Sequence, residues 1–165
     1  MIYSNEKVRR QDRLLDEMDA VKLLKESEYG VLSMYSEDEG IYAVPVNHVW
    51  DGKDSLYFHC ATEGKKLKIL DENNSVTYCI VGETNVIPKK FTSEYESIIL
   101  EGKVYRNLPE VERMMALEIM LDKYSPGDKT VGMIYAEKSF NRTEILRMDV
   151  ETWSGKSRKF IVPKK

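Results

Sequence analysis

The sequence predicts an α+β protein, mainly β, in which an antiparallel sheet or barrel carries helices on its outside. Two observations support this class. The predicted elements follow in the order helix, three strands, helix, two strands, helix and strand, and short turns join most neighbouring strands, as hairpins require. The repeated strand, helix and strand units of a parallel sheet are missing. Antiparallel pairing is therefore expected.

Length, charge and hydropathy restrict the number of domains, the kinds of partner and the location of the protein. The chain of 165 residues suits one domain with a sizeable core, and we expect a single domain over residues 1–165 whose tails, 1–8 and 157–165, are loosely ordered. A net charge of −3 argues against a general nucleic-acid binder. No apolar run is long enough to span a membrane or to form a signal peptide, so we expect a cytosolic protein.

The first half predicts one helix followed by a three-stranded meander. Asp19 is placed to cap a helix over residues 20–29, and Gly30 stands where a helix commonly ends. Polar turns with the sequences EDEG and DGKD separate the strands that follow. Alternating apolar residues predict these strands at 31–36, 41–50 and 55–60.

The second half predicts two helices among three further strands. Gly102, inside a long strand-like run, indicates a bulge or bend. Asn107 and Glu110 have the spacing of a cap and its third residue at the start of the longest helix. The helices are expected at 63–73 and 109–124, and the strands at 75–81, 94–106 and 140–153.

Two lysines stand in the first helical turn, where acids are ordinarily preferred. With Thr62 as the cap, the turn starts at Glu63, and its backbone N–H groups have no acceptor within the helix. Such an end binds anions, and Gly64 together with the ammonium groups of Lys65 and Lys66 suits a phosphate monoester. The alternative is a solvated helix start, where the lysines cost little against the helix dipole.

The preceding strand adds an aromatic and polar face. Alternation places Tyr57 and His59 on one face and the apolar side chains, with Cys60, on the other. A ligand with a phosphate and a flat ring would fit where this face meets the lysines. His59 is alternatively a half-exposed strand residue that bonds to a neighbour.

The stretch AVPVNHVW contains a proline inside a predicted strand. Pro45 removes a ladder donor, so it is expected at an edge or a bulge. Asn47 follows on the same face, and backbone groups beside a proline, together with an amide, can bind the polar edge of a heterocycle. An edge-strand proline with an exposed asparagine is the alternative.

The remaining candidates are a tail cluster and two cysteines. Trp153 with Lys156 suits an aromatic ring or a phosphate, or forms a solvated end. Cys60 and Cys79 lack the spacing of a zinc site and are expected as buried thiols without a disulfide. Two histidines cannot form a multi-histidine metal site, and no metal is expected. Rossmann, P-loop and hydrolase motifs are absent.

Several of these segments together resemble one family. The residues RRQDR, YGVLSM, PVN followed by YFH and then GKK, NSVTYCIV and YESIILEGKVYR are similar to the pyridoxamine 5′-phosphate oxidase-like split β-barrel flavoproteins. Within that group they are most similar to the 5-nitroimidazole resistance (Nim) branch. The resemblance covers roughly residues 8–153.

The resemblance implies an antiparallel split β-barrel with peripheral helices and FMN at the interface of a homodimer. Lys65 and Lys66 would hold the 5′-phosphate, and Trp153 and Lys156 would reach the flavin of the other subunit. Two segments would line the isoalloxazine: Val44, Pro45, Val46 and Asn47 along its length, and His59, Cys60 and Ala61 at its edge.

The resemblance also bears on the activity. The additional basic and tyrosine side chains with which true pyridoxamine phosphate oxidases hold their substrate have no convincing equivalents here. We expect instead a flavin-dependent oxidoreductase acting on a small molecule, nitroimidazole-reductase-like, with His59 as proton donor or orienting group. One alternative is a flavin- or haem-binding protein without turnover. In a haem protein, His48 or His59 would be the axial histidine. Another alternative is a nucleic-acid binder.

Overall fold

A computed structural model describes residues 1–159 of the chain. The helices are α1 Glu17–Glu26, α2 Lys65–Glu72, α3 Glu110–Tyr124 and α4 Lys129–Ser139. The strands are β1 Ile2–Tyr3, β2 Tyr29–Ser36, β3 Gly40–Asn47, β4 Val49–Trp50, β5 Ser55–Ala61, β6 Ser75–Ile87, β7 Thr92–Tyr105 and β8 Thr143–Arg158.

The strands form one sheet in the order β3, β2, β6, β7, β8, β5, β4. Every neighbouring pair on this path is antiparallel, while β1 joins β8 in parallel. The predicted class, a mainly antiparallel sheet with helices outside it, is confirmed. The sheet is open, with β3 at one end and β4 at the other, and β3 approaches β5 without pairing to it. Closure into a split barrel stays a prediction.

Both hairpins of the predicted three-stranded meander form, but its second strand is divided in two. The chain breaks at His48 between β3 and β4, and β5 pairs with β4 and β8 instead of β3. His48 is fully buried, and its ring lies against the carbonyl oxygen of Leu24 and the phenol of Tyr78. Anchoring this ring in the interior turns the chain away from a simple hairpin.

The bulge expected at Gly102 is confirmed. Glu101 pairs with Thr152, but Gly102 pairs with Val150, so the register shifts between them. A Cβ on Gly102 would lie 2.1 Å from the carbonyl oxygen of Asp149, which explains why a glycine stands there. Residues 82–93, expected as a looser stretch, mostly continue β6 and β7 as a long hairpin.

The boundaries of α1 and α3 differ from the predictions at three positions. Asp16, not Asp19, caps α1 by accepting from the backbone N–H of Met18. Gly30 lies inside β2, where a Cβ would come within 2.6 Å of the carbonyl oxygen of Cys79. Pro109, not Asn107, precedes α3.

Helix α4 was not predicted. Its sequence, KTVGMIYAEKS, contains β-branched residues and a glycine, which have low helix propensity. Packing against α3 stabilises it, with Ala136 buried. Propensity alone could not show this helix because the stabilising contacts are tertiary.

Two hydrophobic clusters fill the interior. The larger lies between the sheet and α1 and α2, and the smaller lies under α3. The fully buried side chains of the larger cluster include Leu24, Leu32, Phe58, Ile69, Tyr78, Ile98, Leu146 and Met148. The smaller cluster contains Val49, Tyr57, Leu108, Ala116, Met120 and Ile145. Among residues 1–159, no helix has the length and apolar character needed to span a bilayer.

The terminal segments differ from the expected loose tails where the structure describes them. Ile2–Tyr3 pairs with β8, the Tyr3 hydroxyl donates to the carbonyl oxygen of Leu15 at 2.6 Å, and Val8 is buried. At the other end, β8 includes Ser157 and Arg158. The rest of the expected C-terminal tail, residues 160–165, lies outside the described part.

Candidate functional site

Helix α2 begins with a glycine cap. Gly64 has φ 138° and ψ 169°, a conformation that favours glycine, and no side chain caps the helix. The expected start with Thr62 as the cap is therefore wrong by two residues. The carbonyl of Gly64 accepts from Leu67 and Lys68, which leaves the N–H groups of Lys65 and Lys66 without helical acceptors. A Cβ on Gly64 would meet open space.

The two lysines at this helix end face different strands, and the region between β3 and the end of β5 at the start of α2 is called the cleft below. Lys65 reaches toward β3, where its Nζ lies 3.4 Å from Glu39 Oε2 and 5.4 Å from the centre of the Tyr42 ring. Lys66 lies beside the end of β5. Burial lowers the pKa of His59, and the charge of Lys66 lowers it further. The start of α2 therefore carries two ammonium groups, with the carboxylate of Glu39 beside that of Lys65.

The edge strand β3 forms one wall. Its burial alternates, with Val44 and Val46 packed on the core and Pro45 and Asn47 exposed. Pro45 stands on an edge strand, as expected. Of the four predicted residues on β3, only Pro45 and Asn47 present side chains outward. Val44 and Val46 can offer a ligand only backbone groups, and the Val46 carbonyl oxygen already accepts from the Tyr78 hydroxyl at 2.8 Å.

The end of β5 forms the facing wall. His59 and Ala61 are exposed and Cys60 is half-buried. Both cysteines are free, as expected, but half-buried instead of buried. Burial raises the pKa of the Cys60 thiol, and the charge of Lys66 offsets part of that rise. Cys60 is therefore a protonated thiol at neutral pH.

Tyr57 lies on the same face of β5 as His59, but it is buried whereas His59 is exposed. Tyr57 is 4% exposed and lies in the cluster under α3, where its hydroxyl donates to Glu112 Oε1 at 3.1 Å. Arg147 also donates to Glu112, at 2.8 Å. The alternation predicted from sequence is correct, but α3 covers the face that Tyr57 occupies.

Asn47 and His59 line a common cavity of about 390 Å³. The Asn47 amide nitrogen donates to the carbonyl oxygen of Glu28 at 2.9 Å. Helices α3 and α4 close the other side. The helices contribute eight lining residues, and Ser125 and Thr143 flank them. The full set is Leu117, Met120, Leu121, Tyr124, Ser125, Gly132, Tyr135, Ala136, Ser139 and Thr143. This cavity adjoins the cleft, because Asn47 ends β3 and His59 stands beside Lys66.

A buried polar network lies behind Asn47 and was not predicted. The His48 ring nitrogens lie 2.9 Å from the carbonyl oxygen of Leu24 and 3.0 Å from the Tyr78 hydroxyl. Tyr124 donates toward the His48 carbonyl oxygen at 2.6 Å, and Lys123 donates to it at 3.0 Å. A lone histidine inside an apolar run gave no sequence signal for partners so distant along the chain.

Burial dominates the electrostatics of this network. It lowers the pKa of His48 to about 4, with a further contribution from the Lys123 charge. Burial also lowers the pKa of Lys123 to about 8. His48 is therefore neutral at pH 7 and unsuited to bind a ligand from solvent, since both of its ring nitrogens already have polar neighbours.

Trp153 and Lys156 lie away from the cleft within this chain. Trp153 is 2% exposed, with its ring 4.8 Å from that of Tyr3. Lys156 pairs opposite Ser97. Strand β8 runs from the partner of His59, Ile145, to Trp153 at about 3.3 Å per residue, so roughly 25 Å separates the two positions. The structure does not bring these residues together with Lys65.

The donor set of the cleft fits a phosphate monoester. Two ammonium groups, free backbone N–H groups and an open glycine converge at the start of α2. An edge strand with exposed backbone leads from there to Asn47 and the cavity. No cluster of three or more potential metal ligands occurs in residues 1–159.

Comparison with solved structures finds the same fold in several proteins. A proposed 5-nitroimidazole antibiotic resistance protein from Bacteroides thetaiotaomicron matches with a TM-score of 0.70 and 19% identity, over 88% of this chain and 86% of that one. The FAD and haem binding protein from Mycobacterium smegmatis matches at 0.71 and 18%, over 91% and 75%. A conserved hypothetical protein from Mycobacterium tuberculosis matches at 0.77 and 13%, over 94% of both.

Identities this low establish the fold alone. A comparison with curated proteins found no match. The family model for pyridoxamine 5′-phosphate oxidase matches residues 16–157, most of the chain, including the cleft and the cavity. The chain therefore belongs to the pyridoxamine 5′-phosphate oxidase family.

Proposed function

We propose that the protein is a homodimeric FMN-binding oxidoreductase that acts on a small molecule, in the manner of a nitroimidazole reductase. The observation that carries the proposal is the start of α2, where Lys65, Lys66 and the open Gly64 meet the edge strand β3. Family membership supports a flavin. The solved neighbour from Mycobacterium smegmatis, named for FAD and haem binding, supports a cofactor on this fold.

Each part of the cleft has a role toward FMN. Lys65 and Lys66 bind the 5′-phosphate, and Glu39 gives up its contact with Lys65 when the phosphate arrives. The backbone of Val44 and Val46, with the side chains of Pro45 and Asn47, lines the isoalloxazine. Cys60 and Ala61 cover its edge. FMN supplies the redox chemistry, and the chain orients it and excludes water.

His59 is the proposed proton donor or orienting group for the substrate. Its ring lies at the junction of the cleft and the cavity. Burial lowers its pKa, so at neutral pH it offers one N–H donor and one nitrogen acceptor. A neutral imidazole can position a substrate and exchange a proton with it.

The outer sheet face provides the surface for the homodimer. Val31 lies opposite Pro45 on one side and Cys79 on the other, and Cys79 lies opposite Ile99. Val31 and Ile99 are 37% and 40% exposed. A continuous exposed apolar row is typical of an interface. We expect Val31→Lys to convert a dimer to a monomer in light scattering, and a wild type that is monomeric would contradict the assignment.

The C-terminal strand is proposed to serve the flavin of the second subunit. Lys156 would act through its ammonium group. Trp153, buried against Tyr3, would fix the strand that presents Lys156. This assignment fits their separation from the cleft of their own chain.

The test is an absorption spectrum after incubation with FMN and desalting. The wild type should retain bands near ~370 and ~450 nm, and the double variant with Lys65→Gln and Lys66→Gln should lose them. Lys68→Gln is the matched control, because Lys68 is exposed on the same helix outside the cleft. Retention of FMN by the double variant would contradict the phosphate site.

The same spectrum tests the haem alternative. Of the two histidines, His48 is buried with both ring nitrogens partnered, so His59 would have to be the axial histidine. A single sharp Soret band that His59→Ala abolishes would replace the flavin proposal with a haem protein.

A further inference from the structure

The cavity beside His59 contains no formally charged side chain other than a titratable histidine. None of its twelve lining residues within the described chain is a lysine, arginine, aspartate or glutamate. The nearest cation on α3, Lys123, turns its Nζ toward the His48 carbonyl oxygen at 3.0 Å. The cavity therefore differs sharply from the cleft, which holds two lysines and a glutamate.

This difference selects against charged ligands. Moving a carboxylate or phosphate into the cavity would remove its hydration, and no lysine or arginine in the lining itself would compensate for the loss. Apolar side chains cover most of the wall, chiefly Leu117, Met120 and Leu121. A volume of about 390 Å³ lies within the range of small-molecule sites. A flat apolar ring system suits such a space.

Several polar side chains line the cavity, and hydrogen bonds within the protein already engage some of them. Ser139 donates to the carbonyl oxygen of Tyr135, and Thr143 donates to that of Ser139, so both hydroxyl protons are already used. Asn47 binds Glu28 through its amide nitrogen, which leaves its amide oxygen as an acceptor. The Tyr124 hydroxyl also donates to backbone carbonyl oxygens, and the hydroxyls of Ser125 and Tyr135 lie elsewhere in the lining. Asn47 and His59 are the polar pair that can orient a ligand at the end next to the cleft.

We propose that this cavity is the substrate site of the oxidoreductase, and that it takes neutral, planar aromatic molecules carrying one polar group directed at Asn47 and His59. The inference rests on the proposed function, because only an oxidoreductase would convert the bound molecule as a substrate. The class of ligand follows from the lining residues alone. Phosphate esters and carboxylates are excluded from this site and belong, if they bind, to the cleft at Lys65.

Two probes of matched shape test the ligand class. 2-Naphthamide is neutral and 2-naphthoate is an anion, and they differ only in amide against carboxylate. Each probe is titrated into FMN-loaded protein whose methionine methyl groups are isotopically labelled, and binding is followed by NMR. We expect 2-naphthamide to shift the Met120 resonance, and 2-naphthoate to bind at least roughly tenfold more weakly. Equal or tighter binding of the naphthoate, or no shift at Met120, would overturn the proposal.

A pair of helix variants locates the site. Ala136→Leu fills the cavity, because Ala136 is buried in its lining, and should weaken 2-naphthamide binding roughly tenfold. Val131→Leu is the control on the same helix, since Val131 is 69% exposed and outside the lining. Unchanged binding in Ala136→Leu would reject the cavity. Should that variant not fold, the wild-type comparison of the two probes still decides the ligand class.

Repeating the titration without FMN separates this inference from the proposed function. Binding of 2-naphthamide at Met120 by a protein that never retains FMN would support the cavity and reject the flavin. Retention of FMN with no binding of 2-naphthamide would reject the cavity and leave the flavin proposal standing.

Discussion

Lys123 and His48 meet in the interior although both are basic. The Lys123 Nζ lies 3.4 Å from the His48 Nε2 and 3.0 Å from the His48 carbonyl oxygen. A charged imidazole would face an ammonium group there, which adds to the effect of burial in lowering the pKa of His48. The pair holds α3 against the junction of β3 and β4, directly behind Asn47.

Acid should destabilise the fold through His48. Its pKa is about 4 in the folded state against 6.5 as the ordinary value, so the unfolded chain binds the extra proton first. Stability is then full above pH 6.5 and falls between pH 6.5 and 4, by on the order of 3 kcal/mol. Urea unfolding across this range measures the loss.

Two variants isolate the His48 contribution from that of the carboxylates. His48→Gln should flatten the stability profile between pH 6.5 and 4. Lys123→Met should raise the pKa of His48, observed by NMR titration of its ring, because the repelling charge is gone. A profile that is the same in His48→Gln as in the wild type would contradict the assignment.

Gly64→Ala should weaken FMN retention. A side chain at φ 138° is strained by about 1–2 kcal/mol although nothing blocks it sterically. Relaxation of the strain would move the first N–H groups of α2. Gly52→Ala is the control, because Gly52 also has positive φ and open surroundings but lies in a remote turn. Equal FMN loss in both variants, measured by fluorescence titration, would exclude a specific role for Gly64.

Removing the carboxylate at the rim should tighten FMN binding. Glu39 lies 3.4 Å from Lys65 and competes with a phosphate for it. Glu39→Gln should increase affinity about threefold at low salt, consistent with the strength of partly exposed ion pairs. Glu37→Gln, an exposed acid on the same turn, should have a smaller effect. Weaker binding by Glu39→Gln would mean that Glu39 positions Lys65 for the ligand.

The bulge at Gly102 should tolerate no side chain. A Cβ there would lie 2.1 Å from a backbone oxygen, so Gly102→Ala should destabilise the fold by about 3 kcal/mol. Gly127→Ala meets open space and should be close to neutral. Equilibrium denaturation of the two variants makes the comparison, and a neutral Gly102→Ala would require the bulge to shift at little cost.

Local patterns predicted the features that depend on one segment. The lysines after a strand, the proline on an edge and the glycine at the bulge could be found because each is decided by neighbours in sequence. Helix α4 and the cover over Tyr57 could not, since α3 packing determines both. The same holds for the cavity, which exists only where α3 and α4 meet Asn47 and His59.

The wide sequence spacing of the His48 contacts has a kinetic consequence. Its partners Leu24, Tyr78 and Lys123 stand 24, 30 and 75 residues away, so the chain must close large loops before any of them can form. We expect these contacts to form after the folding transition state, because the cost of closing the loops comes first. His48→Gln should therefore accelerate unfolding in stopped-flow experiments while leaving the folding rate nearly unchanged. We therefore expect His48 to affect the lifetime of the native protein more than the rate at which the protein folds.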